Sequence, residues 1–195
     1  MFKLFRILIL YSFQSITHLF QENIKEVDWD YISENPNAIH LLQQNMDNIY
    51  WPALSMNPNG LKLLEANLDK IDWKYLSRNP NAIHLLEQNR DKIDWDALSE
   101  NPNAIHLLEQ NMNKIDWVNL SKNPNAIHLL EKKINKIDWE FLSYNPNAIH
   151  LLEQNMDKIN WKYLSTNPNI FEIDTKQLKL DIDDQARIID KIIHI

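Results

Sequence analysis

Tryptophan recurs along this chain at one fixed interval. Each tryptophan lies 22 residues after the previous one, and no insertion breaks the register. The positions are Trp29, Trp51, Trp73, Trp95, Trp117, Trp139 and Trp161. An unbroken period of this length is typical of a solenoid, whose short units bury their apolar side only against their neighbours. We number repeats 1 to 7 by these seven tryptophans.

Each repeat is predicted to begin with a short helix, here named helix A. In repeat 3, the carboxylate of Asp72 is placed to accept hydrogen bonds from the first turn of a helix that runs from Trp73 to about Arg78. So short a helix is not stable by itself, and therefore its stability must come from stacking on neighbouring repeats.

A second helix, helix B, is predicted to follow at the repeated Asn-Pro-Asn segment. Asn79 is expected to cap it, with Pro80 at its first position, where the missing N–H costs nothing. The helix should then run through Gln88 and end at Asn89, because Asn tolerates the left-handed conformation. Residues 90–93 are predicted to form a linker to the next repeat.

A helical wheel at ~100° per residue separates a buried side from an exposed side in both helices. The predicted buried set of repeat 3 comprises Trp73, Leu76, Ser77, Ala82, Leu85, Leu86 and Asn89, with Ile83 at its edge. His84 and Gln88 point away from this side. The tryptophans of all seven repeats are thereby predicted to belong to the core.

The sequence therefore predicts an all-α solenoid of 22-residue two-helix repeats. It predicts a single repeat domain over 1–195, with tandem repeats at 28–169, an N-terminal capping segment at 1–27 and a C-terminal capping segment at 170–195. The alternative is a leucine-rich-repeat-like solenoid, whose periods include this one, but its strand needs alternating leucines that the repeat lacks.

The two ends leave different questions open. The N-terminal residues join basic side chains to a short apolar run, as a signal peptide does, yet His18 keeps the repeat register with His40. A capping repeat is therefore favoured over a weak signal peptide. At the other end, the spacing of Leu178, Ile182 and Ile189 predicts an amphipathic terminal helix.

Composition excludes several classes of function. The 195 residues carry a formal net charge of −7, include no cysteine and contain one glycine, Gly60. No thiol nucleophile, Cys-based metal site or glycine-rich phosphate loop is possible. The acidic balance argues against nucleic-acid binding, and the N-terminal apolar run is too short to span a membrane. The lack of disulfides favours an intracellular protein.

One histidine recurs in the second half of the repeat. The set is His40, His84, His106, His128 and His150. Two ligands of one zinc ion need Zn–N distances of ~2.0–2.1 Å, whereas neighbouring helices lie ~8–10 Å apart. A structural ladder, in which each imidazole bonds a neighbouring repeat, is therefore predicted in preference to a metal site, and no cofactor is expected.

Catalysis is not expected either. Ser77 and His84 recur in equivalent positions, but the wheel places the hydroxyl on the buried side and the imidazole on the outward side. The sequence predicts no catalytic residue, and a metal-binding or enzymatic protein is the third and least favoured hypothesis.

The positions one, two and five residues after each tryptophan vary between repeats and form one contiguous face of helix A. A constant core beside a variable face is how solenoids present binding surfaces. The candidate partner-binding residues on this variable face are Tyr31, Glu34, Lys74, Tyr75, Arg78, Asp96, Glu100, Lys122, Glu140, Phe141, Tyr144, Lys162 and Tyr163. Their mixture of aromatic rings and charges of both signs suits recognition of protein.

The repeat Ile-Asp-Trp-x-x-Leu-Ser-x-Asn-Pro-Asn-Ala-Ile-His-Leu-Leu-Glu resembles the tandem Trp/NPNAIHLLE repeats of proteins from giant nucleocytoplasmic DNA viruses. The resemblance runs from about Asp28 to the C-terminus and implies a viral origin and a repeat fold, without catalytic residues. Repeat 2 departs from the pattern at Tyr50, Pro52, Gly60 and Lys62.

Two functions follow as expectations. The first is a non-enzymatic scaffold that binds a host or viral protein through the variable face. The second is a structural component of a virion, with the array as a spacer.

Overall fold

The computed structural model describes residues 23–171, and every regular element in that range is helical. The predicted all-α solenoid is confirmed. No strand occurs between residues 23 and 171, so the leucine-rich-repeat alternative is wrong for this part of the chain. The segments predicted to cap the array at 1–22 and 172–195, including the amphipathic terminal helix, lie outside the described residues.

Repeats 1 to 6 each contain helix A, helix B and a short 3₁₀ helix, and the described part of repeat 7 contains helix A and a 3₁₀ helix. The A helices are Trp29–Glu34, Trp51–Met56, Trp73–Arg78, Trp95–Glu100, Trp117–Lys122, Trp139–Tyr144 and Trp161–Leu164. The B helices are Ile39–Gln44, Leu61–Glu65, Ile83–Gln88, Ile105–Gln110, Ile127–Glu131 and Ile149–Glu153. The 3₁₀ helices are Met46–Asn48, Leu68–Lys70, Arg90–Lys92, Met112–Lys114, Ile134–Lys136, Met156–Lys158 and, in repeat 7, Pro168–Phe171.

The chain forms two compact units, Met1–Ala104 and Ile105–Ile195. In the first unit, helix A of each of repeats 1 to 3 packs on helix A of the next repeat. The same packing joins repeats 5, 6 and 7 in the second unit. The single repeat domain stays a prediction, although the sequence period crosses the boundary at 104/105 unchanged.

Helix A begins as the sequence predicts. Asp72 is extended, and its Oδ1 accepts hydrogen bonds from the backbone N–H groups of Lys74 and Tyr75, both at 3.1 Å. A side-chain cap of this kind satisfies donors that have no partner within the helix. Repeat 2 is the exception: Tyr50 makes no side-chain cap, and Pro52 in the first turn removes one donor instead.

The Asn-Pro-Asn segment does not begin helix B, contrary to the prediction. Asn79 closes helix A with an extended backbone, as expected of a residue that precedes proline. Its carbonyl accepts from the N–H of Ala82 at 3.1 Å, and its Oδ1 accepts from the N–H of Asn81 at 3.0 Å. The segment is therefore a turn, and helix B starts after it, at Ile83.

The predicted left-handed end of helix B is also wrong. Asn89 has a φ of −131°, and no residue in the described range has a positive φ. The side chain ends the helix in another way, because its Nδ2 donates to the carbonyl of Leu85, four residues earlier, at 2.9 Å. The next residues form a 3₁₀ helix, and Ile93 after it is 7% exposed, which places this supposed linker residue in the core.

Leucines and alanines fill the interior of each repeat. Leu76, Leu86 and Ala82 are fully buried, Leu85 is 3% exposed, and equivalent residues recur along the array. The tryptophans are not core residues, contrary to the prediction. Those of repeats 1 to 6 are half-buried, and Trp161 is 68% exposed.

The exposed side of several tryptophan rings carries a lysine. The ammonium of Lys92 lies 4.7 Å from the ring centre of Trp73, and Lys70 and Lys158 stand in the same relation to Trp51 and Trp139. Each lysine belongs to the 3₁₀ helix of the same repeat. The ring therefore joins the apolar edge of helix A to a cation, an interaction that stabilises by ~0.5–1 kcal/mol at an exposed site.

A buried asparagine joins each repeat to the one before it. The Asn79 side chain is fully buried, and its Nδ2 donates to the carbonyls of Ser55 and Asn57 in repeat 2, at 3.0 and 2.9 Å. The same pair of bonds recurs at Asn57, Asn101, Asn145 and Asn167. We call this series the asparagine ladder.

Two further side chains bridge the same interface. The Oγ of Ser77 donates to the carbonyl of Trp73 and accepts from the backbone N–H of Asp94 in the next repeat, at 3.1 Å. The second asparagine of the turn, Asn81, donates to the carbonyl of Pro58 at 3.0 Å. No side-chain N or O atom buried in the described range lacks a partner.

Replacing Asn79 with Asp should lower the free energy of unfolding by about 3 kcal/mol or more. The carboxylate keeps the shape of the amide but puts oxygen against two buried carbonyls in place of two N–H donors. Asn81→Asp is the matched control, because this side chain is exposed, and it should cost about 1 kcal/mol or less. Urea unfolding followed by circular dichroism measures the free energy of unfolding of both variants. Equal losses would contradict the stabilising role of the asparagine ladder.

Candidate functional site

The variable face of helix A is accessible along both units. None of the thirteen candidate partner-binding residues is buried. Tyr31 is 73% exposed, Tyr144 51% and Tyr75 39%, although large aromatic side chains usually lose most of their surface on folding. Ala97 is the exception among the varying positions, since it is fully buried.

Some of these residues already contact each other. Arg78 and Glu100, which occupy equivalent positions in repeats 3 and 4, pair at 3.3 Å. In the second unit, the Lys122 ammonium lies 4.3 Å from the ring centre of Phe141, and this ring lies 6.2 Å from the ring of Tyr163. Five of the thirteen residues therefore form two local clusters, an ion pair in the first unit and a cation with two aromatic rings in the second.

A groove of about 350 Å³ opens on the variable face of repeats 1 to 3. It is lined by Asp28, Asp30, Tyr31, Glu34, Tyr50, Ala53, Met56 and Tyr75. We call it the tyrosine groove. Three of its lining residues are tyrosines, three are carboxylates and none is basic, so it combines aromatic surface with negative charge.

The sequence pattern identified part of this groove. Tyr31, Glu34 and Tyr75 were predicted to be partner-binding residues. Asp28 and Tyr50 were not, because both occupy the helix-capping position, where a structural explanation was sufficient. The departure of repeat 2 from the pattern at Tyr50, where most repeats have aspartate, was the available signal.

The repeated histidines are exposed and form contacts between repeats. His84 Nε2 lies 2.7 Å from Glu65 Oε1, His150 lies 2.7 Å from Glu131, and His128 lies 3.0 Å from Glu109. Each imidazole meets the glutamate of the preceding repeat, 19 residues earlier. These three contacts are of the kind that the predicted structural ladder requires. His40 and His106 are also exposed.

The repeated serine and the repeated histidine, the two side chains that could act as nucleophile and base, lie apart. Ser77 is fully buried with both of its hydrogen bonds made inside the protein, whereas His84 is exposed and paired with Glu65. The serine and the histidine therefore do not form a nucleophile and base. In residues 23–171, no group of three or more His, Asp or Glu side chains is arranged to hold a metal ion.

Comparison with protein-family models, with curated proteins and with solved structures finds no match to this chain. Among the helices of the described range, none is long and apolar enough to cross a membrane.

His84→Ala should lower the free energy of unfolding by less than about 1 kcal/mol. Imidazole and carboxylate are each about half exposed, at 50% and 47%, so water replaces most of their interaction. The neighbouring Leu85→Ala is the contrast, because this side chain is 3% exposed and its removal leaves a cavity that costs about 2–5 kcal/mol. A loss of similar size for both variants in urea unfolding would contradict the surface role of the histidine.

Proposed function

We propose that this chain is a non-enzymatic repeat scaffold that binds protein partners through the variable face of helix A. The observation that carries the proposal is the contrast between the two sides of one helix. Leu76 and Ser77 are fully buried, and leucine and serine occupy these two positions in each of repeats 2 to 7, whereas the exposed positions beside them change from repeat to repeat.

The chemistry of the exposed side supports a protein partner. Tyr31, Tyr75 and Tyr144 present large rigid rings to solvent, and tyrosine is enriched among the residues that contribute most to protein–protein binding. The net charge of −7 disfavours a nucleic-acid partner, because phosphate binding requires a basic surface. The regular hydrogen bonds between repeats would hold the rings in fixed positions, which lowers the entropy cost of binding.

The resemblance to giant-virus repeat proteins extends this proposal to an infected cell, with a host or viral protein as partner. A structural role in the virion is the second function that the resemblance suggests. Quantitative proteomics of purified particles distinguishes the two, because a spacer would be present in stoichiometric amounts and a scaffold acting in the cell would not.

The variant Tyr31→Ala/Tyr75→Ala/Tyr144→Ala should lose its protein partners. Each exposed anchor that is removed typically weakens binding by more than about 1 kcal/mol, so the triple variant should bind more than ~100-fold more weakly. Alanine already occupies the position of the first two tyrosines in repeats 2 and 4, at Ala53 and Ala97, so the fold should tolerate it. Pull-down from infected-cell lysate identifies partners, and titration calorimetry with each purified partner measures the loss.

The matched control changes the opposite, helix B side of the repeats, as His84→Ala/Gln88→Ala/Gln110→Ala. These side chains are equally accessible, and this variant should retain every partner. If the tyrosine variant retained every partner and the control lost them, the interface would lie on helix B and the proposed surface would be wrong.

A further inference from the structure

The tyrosine groove owes its depth to one small side chain. Tyr31, Ala53 and Tyr75 occupy the same position, two residues after the tryptophan, in repeats 1, 2 and 3. In the second unit, the aromatic residues at this position in repeats 6 and 7 stand in consecutive repeats, and their ring centres are 6.2 Å apart. Alanine between two tyrosines leaves open the space that a ring fills elsewhere.

The groove is also negatively charged, and none of the described residues offsets this charge with an ion pair. Asp28, Asp30 and Glu34 line it, and all three are exposed. Within the described part of the chain, no Lys, Arg or His forms an ion pair with any of them. One oxygen of Asp28 accepts from the N–H of Asp30 at 3.0 Å, and the other carboxylate oxygens of these three residues have no hydrogen-bond partner among residues 23–171. A concave surface lined with one sign of charge attracts the opposite sign.

In the second unit, the variable face holds a cation against an aromatic ring. There, Lys122, five residues after its tryptophan, places its ammonium 4.3 Å from the ring centre of Phe141, two residues after the next tryptophan. The equivalent pairs in the groove are Glu34 with Ala53 and Met56 with Tyr75. Neither pair includes a cation, and no Lys or Arg of residues 23–171 lies over a groove tyrosine.

We propose that the tyrosine groove binds an extended, arginine-containing segment of a partner protein. The guanidinium would lie against the tyrosine rings and pair with the carboxylates, an arrangement that arginine favours over lysine because its planar group stacks on aromatic faces. This inference rests on the proposed scaffold function and names the chemistry of its partner. The negative charge of the groove repels phosphate, which disfavours a nucleic acid as occupant.

A fluorescein-labelled peptide of alternating glycine and arginine, with four arginines, is the direct probe. Its affinity for the full chain, measured by fluorescence anisotropy, should exceed that of the same peptide with citrulline by at least ~10-fold, because citrulline keeps the shape and loses the charge. The affinity should fall between about 50 mM and 500 mM salt. Equal affinity of the arginine and citrulline peptides would overturn the proposal.

Two substitutions test the location of binding, and the sequence itself predicts that both fold. Ala53→Tyr fills the gap with the residue found at this position in repeats 1, 3 and 7, and Glu34→Lys introduces the residue found at the equivalent position in repeat 5. Each should weaken arginine-peptide binding at least ~10-fold while leaving the thermal unfolding midpoint unchanged within a few degrees.

The control Glu140→Lys makes the same change of charge on the variable face of repeat 6, outside the groove. It should leave peptide binding unchanged. If it weakened binding as much as Glu34→Lys does, the peptide would be attracted by the net negative charge of the protein and not by the groove, and the proposal would be wrong. If groove variants kept their protein partners while Tyr144→Ala alone lost them, the arginine inference would fail and the scaffold function would stand. If the arginine peptide bound the groove but no protein partner depended on the tyrosines, the scaffold function would fail and the arginine-binding groove would stand.

Discussion

A single buried carboxamide holds each junction between repeats within the two units. The first asparagine of the turn has every polar group of its side chain and backbone engaged. In repeat 3, Asn79 donates twice to the previous repeat, accepts within its own turn, and offers its carbonyl to Asn101 of the next repeat. Because an unsatisfied buried amide costs about 1–3 kcal/mol, these geometric demands fix the spacing of repeats more strictly than leucine packing, which tolerates small shifts.

The local rules of helix formation predicted part of this arrangement. Asp72 and Leu76 were placed correctly, because capping and helical periodicity depend only on residues within a few positions. Asn79 was misplaced as a cap of helix B, because its partners lie in the previous repeat, 22 and 24 residues away. Trp73 was assigned to the core because the helical wheel places it on the same side as Leu76 and Ser77, whereas its ring lies at the edge, where Lys92 covers it.

The surface was also predictable where it depends on single positions and not where it depends on residues of several repeats. The variable face was predictable because variation between repeats of one chain marks positions that the core does not constrain. Only part of the tyrosine groove could be predicted. Its shape comes from the small side chain of Ala53 between Tyr31 and Tyr75, and a helical wheel shows the direction of a side chain but not the space that a small one leaves open. Tyr50 illustrates the other difficulty: a residue at a capping position can face a groove at the same time.

Within each unit, the hydrogen bonds that asparagine amides and backbone N–H groups make between repeats run in one direction, whereas the Arg78–Glu100 pair on the surface runs in the other. Asparagine amides, the backbone N–H of Asp94 and the histidine ring nitrogens belong to the later repeat, and their oxygen partners belong to the earlier one. The ribosome synthesises the earlier repeat first. The acceptor oxygens of that repeat are therefore already in place when the donor groups of the next repeat emerge. Assembly can therefore proceed one repeat at a time during synthesis, with each completed repeat serving as the template for its successor.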